Sequence, residues 1–326
     1  MSDHATKSNG QGAVLALLAF AIYATHDAVV KVLGETYSAV QIVFFAALLS
    51  FPVISVILLN DKREGSLRPI HPWWVVLRAI CTVITGVCAF YAFSSLPLAQ
   101  VYPILFAMPL LITVLAIPVL GERVGFHRWA AVIIGLCGVL IVVRPGVATL
   151  QMGHLAALTA AFCGSLASII VRKIGQEERS VVLLLSPLLG NFIAMGAVVP
   201  LVWVPLQLAD LGLLLVVAIF GLVGAFLSIL AYRKAEAVIV APMQYSQIVW
   251  AVFFGYMFFD EAVDAPTMVG ATIVILSGLY IVFREARPNV SSNQPVLETR
   301  GRTETVTTPR SSLLQRTLDR TVRGNR

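Results

Sequence analysis

Apolar residues in this chain fall into ten long runs that are separated by short polar links. Each run holds roughly the 20 mostly apolar residues that a helix needs to cross a bilayer. The runs occupy residues 12–33, 38–59, 73–93, 99–120, 127–144, 153–171, 180–200, 211–232, 237–259 and 266–283. The pattern predicts an all-α integral membrane protein with ten transmembrane helices.

The composition indicates that lipid, and not water, surrounds most of the chain. Apolar residues make up 58% and charged residues 12%, against about 45–50% and about 25% in soluble domains. The net charge of +6 does not indicate a nucleic-acid partner, because nine of the 23 Lys and Arg lie from residue 284 onward and most others sit in short links. Residues 1–11 and 285–326 are predicted to be polar tails, of which the second is basic and disordered.

The basic residues of the links predict the orientation in the membrane, since cytoplasmic loops carry an excess of Lys and Arg. Before residue 284, eleven of these residues fall on the side of the N-terminus, and only Lys31 and Arg144 fall on the other side. Arg78 lies inside the third predicted helix. We therefore expect a multi-pass protein of the inner (plasma) membrane with both termini in the cytoplasm.

The two halves of the chain repeat each other. A displacement of 141 residues places one set of small and apolar residues on identical residues of the second half, and a displacement of 139 does the same for another set. The first set is Gly12, Ala16, Leu17, Ala19 and Gly34, and the second is Ala92, Pro103 and Glu122. We predict two five-helix repeats, residues 12–146 and 153–284, and because five is odd the second copy must be inverted. The link charges agree, since residues 94–98 are uncharged and their counterpart 232–236 is charged.

A set of prolines, glycines and turn residues stands at corresponding places in the two halves. In the first half it comprises Tyr91, Ala92, Phe93, Leu96, Pro97, Leu98, Ala99, Pro103, Pro109, Gly121, Glu122, Arg123, Gly135, Gly138, Arg144, Pro145 and Gly146. In the second half it comprises Ala231, Tyr232, Pro242, Asp260, Glu261, Ser277 and Gly278. In these residues, and over about residues 12 to 284, the sequence resembles the drug/metabolite transporter superfamily with two EamA-type repeats.

The resemblance implies a carrier of small organic metabolites that works by alternating access through a central cavity. Members of the superfamily carry amino acids, nucleosides, vitamins and S-adenosylmethionine. The chain looks most like bacterial ten-helix members, some of which handle riboflavin, so a vitamin such as riboflavin is the specific expectation. Val274 departs from the pattern, because it stands where Gly135 would repeat.

Two ionisable residues, His26 and Asp27, lie about fifteen residues into the first predicted helix. An ionisable group at membrane depth requires a partner or a wet cavity. One interpretation is a structural pair between Asp27 and Lys31, which follows it by one helical turn. The other makes Asp27 a substrate or proton site that His26 tunes, since histidine titrates near neutral pH. The aligned residues of the second half, Ala167 and Ser168, are not ionisable, which favours the second interpretation.

Helices four and nine each contain a proline, Pro103 and Pro242, that removes a backbone donor and opens the helix. Polar side chains beside a broken helix are typical of transporter sites. Gln244 and Gln247 share a face just beyond Pro242, with hydrogen bonding between helices as the alternative role. Nearby aromatic side chains either stack a planar substrate or pack in the core. They are Tyr102, Tyr245 and Trp250.

Three further residues are weaker candidates for the site. Arg78 lies near the cytoplasmic end of its helix, where it either extends to the lipid headgroups or clamps an anionic substrate group. Gln41 on helix two and Tyr23 on helix one have either a structural role or a place in the site.

No pattern for catalysis or nucleotide hydrolysis occurs in the sequence, which contains no H-E-x-x-H, G-x-S-x-G or G-x-x-x-x-G-K-[ST]. We therefore expect no enzyme activity, no cofactor and no metal. The four cysteines lie in apolar runs without paired spacing and are interpreted as packing residues. They are Cys81, Cys88, Cys137 and Cys163.

The predicted partners are a small-molecule substrate, a proton as coupling ion and membrane lipid, with the chain a monomer or homodimer. A hypothesis of another class is a non-transporting membrane scaffold whose basic tail binds a partner or anionic lipid. Asp27, Gln244 and Gln247 favour transport, because a scaffold has little need of buried polar residues at mid-depth.

Overall fold

The computed structural model of the chain describes residues 2–59, 68–122, 124–145, 150–174, 177–178, 180–235 and 237–285. Within these residues the regular elements are all helical, which agrees with the predicted class. The α-helices are α1 (Ser2–Gly34), α2 (Ala39–Leu59), α3 (Pro72–Ser95), α4 (Leu98–Leu105), α5 (Met108–Leu120), α6 (Phe126–Val143), α7 (Met152–Ile174), α8 (Ser180–Val198), α9 (Leu208–Lys234), α10 (Ala237–Met243), α11 (Ser246–Phe259) and α12 (Ala265–Glu285). A short 3-10 helix, Val199–Leu201, follows α8. The predicted tail beyond residue 285 lies outside the described residues.

These helices coincide with the ten apolar runs, but the fourth and ninth runs are each divided in two. Seven helical stretches of the described chain are long and apolar enough to cross a membrane, with Leu98–Leu120 taken as one, and two shorter apolar helices accompany them. The helix α1 begins at Ser2, well before the predicted start at residue 12. Residues 2–11 contain no proline, so nothing in them interrupts the helix.

Prolines account for the divided helices. Between α4 and α5 the chain turns at Phe106 and Ala107, and Pro109 follows in the first turn of α5. If α4 and α5 formed one continuous helix, Pro109 would supply no N–H to it, and the proline ring would clash with the carbonyl of Leu105 four residues earlier. In the second half the break follows Pro242 and contains Gln244 and Tyr245. The sequence predicted continuous helices opened by Pro103 and Pro242, whereas the structure has two separate helices at each place.

Each half of the chain packs its first helix against the third helix of the other half. The helix α7 is the equivalent of α1, and α9 is the equivalent of α3. If the two halves are related by symmetry, the pair α1 and α9 should therefore pack in the same way as the pair α7 and α3. The helix α1 packs along α9, and α7 packs along α3 in the same way. The helices α6 and α12, which are each other's equivalents, pack together directly. This exchange is the pattern of a pseudo-two-fold axis between two copies.

The ends of α3 and α9 lie at opposite ends of α1. Gly12, near the start of α1, lies so close to Ala235 that a Cβ at Gly12 would overlap it. Gly34, at the end of α1, approaches Ser94 in the same way. About 33 Å of helix separates Gly12 from Gly34, at 1.5 Å per residue. The equivalent links after α3 and α9 are therefore a membrane thickness apart, which supports the predicted inversion.

The crossing of α6 and α12 gives the same result. Arg144, just after α6, is hydrogen bonded to Asp264 just before α12. Nearer the middle, Gly138 and Gly270 approach until the carbonyl of each would contact a Cβ on the other. Equivalent helices therefore run antiparallel, as inverted copies require. Small residues at this contact allow the close approach of the two backbones.

The core of the molecule is centred on α4, which is buried along nearly its whole length. Large apolar side chains elsewhere point outward, among them Trp73, Phe126 and Leu208, which are more than four-fifths exposed. Lipid is the solvent in which such a surface is stable. An ionisable residue that faces α4 is therefore far from both lipid and water.

Candidate functional site

Asp27 is completely buried in α1 and has partners on two helices. Its Oδ1 lies 2.8 Å from Nδ1 of His26, and its Oδ2 accepts a 2.5 Å hydrogen bond from the hydroxyl of Tyr102 on α4. His26 is also buried, with its ring edge-on to Phe90 at a centroid distance of 5.7 Å. A carboxylate in a low-dielectric interior requires such hydrogen bonds to remain charged. The structure thus joins three of the predicted site residues in one cluster.

A row of aromatic rings leads from this cluster to the second half of the chain. The ring of Tyr102 lies 5.7 Å from that of Phe93 and 5.8 Å from that of Phe106. Phe106 meets Tyr245 edge to face at a centroid distance of 5.1 Å. These separations are typical of favourable aromatic pairs. The row therefore connects the buried carboxylate with both helix breaks.

Phe106 and Tyr245 are equivalent residues of the two halves, since they are 139 positions apart. Each lies in a helix break, after α4 and before α11 respectively. Two equivalent residues that touch must lie on the axis that relates the copies, so this pair marks the centre of the molecule. Tyr245 fits there because Gly278 on α12 has no side chain, and a Cβ at Gly278 would overlap the Tyr245 hydroxyl.

Gln247 is the buried member of the predicted glutamine pair. Its side chain is almost fully enclosed, and its Nε2 has no hydrogen-bond partner among the described residues. Gln244 lies in the break itself and is only partly buried. Trp250 is placed elsewhere, since its ring packs against Phe253 at 6.1 Å and Phe254 at 5.9 Å. Trp250 therefore does not join the aromatic row.

Lys31 contacts the opposite repeat. Its Nζ lies 2.8 Å from Oε1 of Glu261 and donates a 2.7 Å hydrogen bond to the carbonyl of Leu96. The other carboxylate oxygen of Glu261 accepts from the backbone N–H of Leu98, at the start of α4. The proposed structural pair between Asp27 and Lys31 is thus replaced by a pair between Lys31 and Glu261.

The equivalent ion pair occurs at the other end of the molecule. Arg172 at the end of α7 lies 2.6 Å from Oε1 of Glu122, which follows α5. Arg172 and Glu122 are the counterparts of Lys31 and Glu261 at the two displacements of 141 and 139. Each pair joins the first helix of one repeat to the turn after the broken helix of the other.

The family pattern of the EamA-like transporters matches this chain twice, at residues 10–144 and at residues 151–284. The two matches together span most of the chain and correspond to the two halves of the fold. The chain belongs to the EamA-like transporter family. EamA proteins are membrane transporters, so this chain is a multi-pass inner-membrane protein of the transport class.

Several curated relatives of this EamA protein have named cargo. An S-adenosylmethionine uptake transporter of Rickettsia bellii is 24% identical over 271 residues, covering 83% of this chain and 93% of the relative. A pseudopaline exporter of Pseudomonas aeruginosa is 26% identical over 273 residues, covering 82% and 94%. A riboflavin transporter of Rhizobium johnstonii is 28% identical over 253 residues, covering 74% and 79%. These three relatives are named as transporters of small molecules, with both uptake and export among them.

One solved crystal structure shares the fold of this EamA chain. It superposes with a TM-score of 0.58 at 18% identity, and the match covers 86% of this chain and 99% of the other. At this identity the similarity establishes the fold alone.

The weaker site candidates of this EamA chain have identifiable structural contacts. Gln41 bonds both backbone groups of Val204, with its Nε2 donating at 2.7 Å and its Oε1 accepting at 3.0 Å, and so holds the segment before α9. Arg78 donates a 2.6 Å hydrogen bond to the carbonyl of Leu183 on α8. Tyr23 is fully buried with its ring against Gly224 on α9. All three link helices or loops.

Sequence reasoning missed Phe106 and the pairing of Lys31 with Glu261. A signal for the ion pairs was present, because both halves have a basic residue at the end of the first helix and a glutamate after the broken helix. Phe106 is one apolar residue among many in its run, but its displacement of 139 from Tyr245 identifies it as the equivalent of a candidate site residue.

Proposed function

We propose that this EamA protein is a secondary transporter that moves a small organic metabolite by alternating access. The observation that carries the proposal is the buried cluster of His26, Asp27 and Tyr102 beside two broken helices that meet at the pseudo-two-fold axis. Broken helices and ionisable residues at the contact between inverted repeats are the usual construction of such a site. Rocking of the repeats about the axis would expose it to each side in turn.

The aromatic row favours a planar, partly aromatic substrate. Phe93, Tyr102, Phe106 and Tyr245 form a continuous series of ring contacts, and a planar molecule would stack between two members once movement of the repeats separates them. A vitamin such as riboflavin is the specific substrate that we propose, and the riboflavin transporter of Rhizobium johnstonii supports it. S-adenosylmethionine, nucleoside-like metabolites and amino acids are the alternatives.

A proton is the coupling ion that the cluster supports best. Asp27 is the carboxylate at the core, and His26 and Tyr102 both contact its oxygens. Protonation of Asp27 would leave Tyr102 without its charged acceptor, which loosens the contact between α1 and α4. Proton binding would therefore change the packing of α1 on α4 within the first repeat, and α1 in turn packs along α9 of the second repeat.

Reconstituted flux tests the proposal. Purified protein in liposomes should take up at least one of riboflavin, S-adenosylmethionine, adenosine and a set of amino acids, with saturation and with stimulation by a pH gradient. Empty liposomes and the non-transported dye calcein are the controls for leak. Absence of uptake of every compound, with and without the gradient, contradicts the proposal.

A further inference from the structure

Two buried hydroxyl groups of the first repeat show how a polar side chain can be satisfied within its own helix. The hydroxyl of Ser50 donates to the carbonyl of Ala46 at 2.6 Å, and that of Thr85 to the carbonyl of Cys81 at 2.7 Å. Asn191 on α8 differs from them. It is completely buried, and neither Nδ2 nor Oδ1 has a hydrogen-bond partner among the described residues.

Asn191 faces the interior of the molecule, on the side of α8 that also carries the buried residues Leu188 and Met195. The preceding Gly190 approaches α3, with Val83 3.4 Å from the place of a Cβ. The following Phe192 packs on α2, where its ring lies parallel to that of Phe44 at 5.3 Å. Asn191 is therefore enclosed between α2 and α3.

The pseudo-two-fold axis passes beside Asn191. Phe192 also meets Phe51 edge to face at 5.3 Å, and these two residues are equivalents 141 positions apart. Equivalent residues in contact lie on the axis, as Phe106 and Tyr245 do. The axis thus runs from the helix breaks to the contact of α2 with α8, and Asn191 lies at its second end, at mid-depth between the inverted repeats.

An amide with neither of its groups paired is unfavourable in a protein interior, and more so in a helix within lipid. Such a group in a native fold calls for an explanation, and a partner that enters from outside is one that a transporter supplies. We propose that Asn191 is a substrate-recognition residue that binds a paired donor–acceptor edge of the transported molecule. The inference rests on the proposed function and narrows its substrate class.

The chemistry of the edge follows from the amide. Asn presents one acceptor and two donor hydrogens on a planar group, so it forms two parallel hydrogen bonds with a group that has an acceptor beside a donor. Imide edges of flavins, amidine edges of adenine and primary amides have this arrangement. Asn191 would therefore favour heterocycles with such an edge over apolar rings and over simple aliphatic acids.

The test compares Asn191→Leu with Ser50→Ala. Leu has the same branched skeleton as Asn without the hydrogen-bonding atoms, so Asn191→Leu removes the recognition chemistry and little else. Ser50 occupies the equivalent place in the first repeat, is equally buried and is already bonded to Ala46. Both variants and the wild type are reconstituted, and uptake of riboflavin, of riboflavin methylated at its imide nitrogen and of S-adenosylmethionine is measured alongside Tm in detergent.

The expected result is a rise of at least tenfold in KM for the transported probe in Asn191→Leu, with Ser50→Ala close to wild type. The ability to distinguish riboflavin from its methylated form should be lost in Asn191→Leu. Its Tm without ligand should rise, since an unpaired amide has been removed, and the rise of Tm on adding the probe should shrink. A purely structural amide would instead give a lower Tm.

Unchanged KM in Asn191→Leu for a probe that the wild type transports overturns the inference and leaves the proposed function intact. A fall in Tm with KM unchanged does the same. If the wild type transports none of the probes and binds none of them, the proposed function and the inference fall together.

Discussion

The two repeats share a scaffold but differ in what they place at its centre. Both have a broken helix, an aromatic residue at the break and an ion pair that reaches the other copy. Only the first repeat has the buried pair His26 and Asp27, whose counterparts are Ala167 and Ser168. The second repeat supplies neutral groups without partners in the described structure, Asn191 and Gln247.

The difference between the two repeats distinguishes features of the shared scaffold from features that serve transport. An ion pair that occurs in both repeats is expected to serve insertion, packing or movement, which the two copies have in common. A feature that occurs in one repeat serves the cargo, because a substrate or a coupling ion is not symmetric. On this basis we propose that Asp27 and Asn191 serve transport and that the two ion pairs serve the scaffold.

The largest effect is expected from Asp27→Asn. The change keeps the shape of the side chain but removes the group that takes up a proton, so flux driven by a pH gradient should fall at least 100-fold while exchange of substrate across the membrane continues. Flux in proteoliposomes with and without the gradient measures it.

Ser168→Ala is the control at the equivalent position. The hydroxyl of Ser168 bonds within its own helix, to the carbonyl of Gly164 at 2.9 Å, so both kinds of flux should be kept. Unchanged gradient-driven flux in Asp27→Asn would show that Asp27 is not the coupling residue. The main functional difference between the two repeats would then be lost.

Breaking the ion pairs should have the next largest effect. Lys31→Met removes the pair with Glu261 and the bond to Leu96, and leaves a carboxylate that is 17% exposed. The cost should stay below the about 3–5 kcal/mol of a fully buried pair. Arg172→Met should also lower Tm.

Charge exchange separates the ion pair from packing. The double variant Lys31→Glu with Glu261→Lys should recover part of the lost Tm, as measured by thermal unfolding in detergent. No recovery of Tm would mean that the packing of the side chains at these positions matters and that the ion pair itself does not stabilise the fold. An effect confined to one end of the molecule would show that the scaffold is less symmetric than its sequence.

Overpacking of the contact between α6 and α12 should have a moderate and similar effect from either side. A Cβ at Gly138 would lie 2.9 Å from the carbonyl oxygen of Gly270. Gly138→Ala and Gly270→Ala should each lower stability by about 1–3 kcal/mol, as small-to-large changes in packed cores do. Gly125→Ala is the control, because nothing lies within 4 Å of its Cβ position. Different losses for the two glycines would contradict the close, mutual contact.

The smallest effect concerns pH. Hydrogen bonding and charge from Arg144 hold the pKa of Asp264 below its usual value of 3.8. A lowered pKa means that the contact stabilises the fold above pH about 4 and that this contribution is lost as pH falls through the depressed pKa. Since the side chain of Asp264 is 44% exposed, the effect should be small.

The pH effect is measured as the difference in Tm between wild type and Asp264→Asn. The difference should be small and constant near neutral pH and should disappear once the pH has fallen below the depressed pKa of Asp264. A difference in Tm that grows as the pH falls would contradict the lowered pKa of Asp264.

The sequence predicted the helical class, the division into two related halves and the cluster around Asp27, because these depend on apolar runs and on a residue that is costly in lipid. It predicted opened helices at Pro103 and Pro242, while the complete breaks also depend on Pro109. The partner of Lys31 was missed because Glu261 comes close only when the repeats pack together. Asn191 was missed because an amide within an apolar run becomes conspicuous only when the structure shows what surrounds it.

The matched ion pairs at the two ends have a consequence for direction. We expect the ion pair on each face to act as a lock that opposes the opening of that face, so the inward-open and outward-open shapes each require one pair to break. Such a carrier would run in either direction, with its net movement set by the gradients of substrate and proton. Importers and exporters can then evolve from one architecture by small changes at either lock.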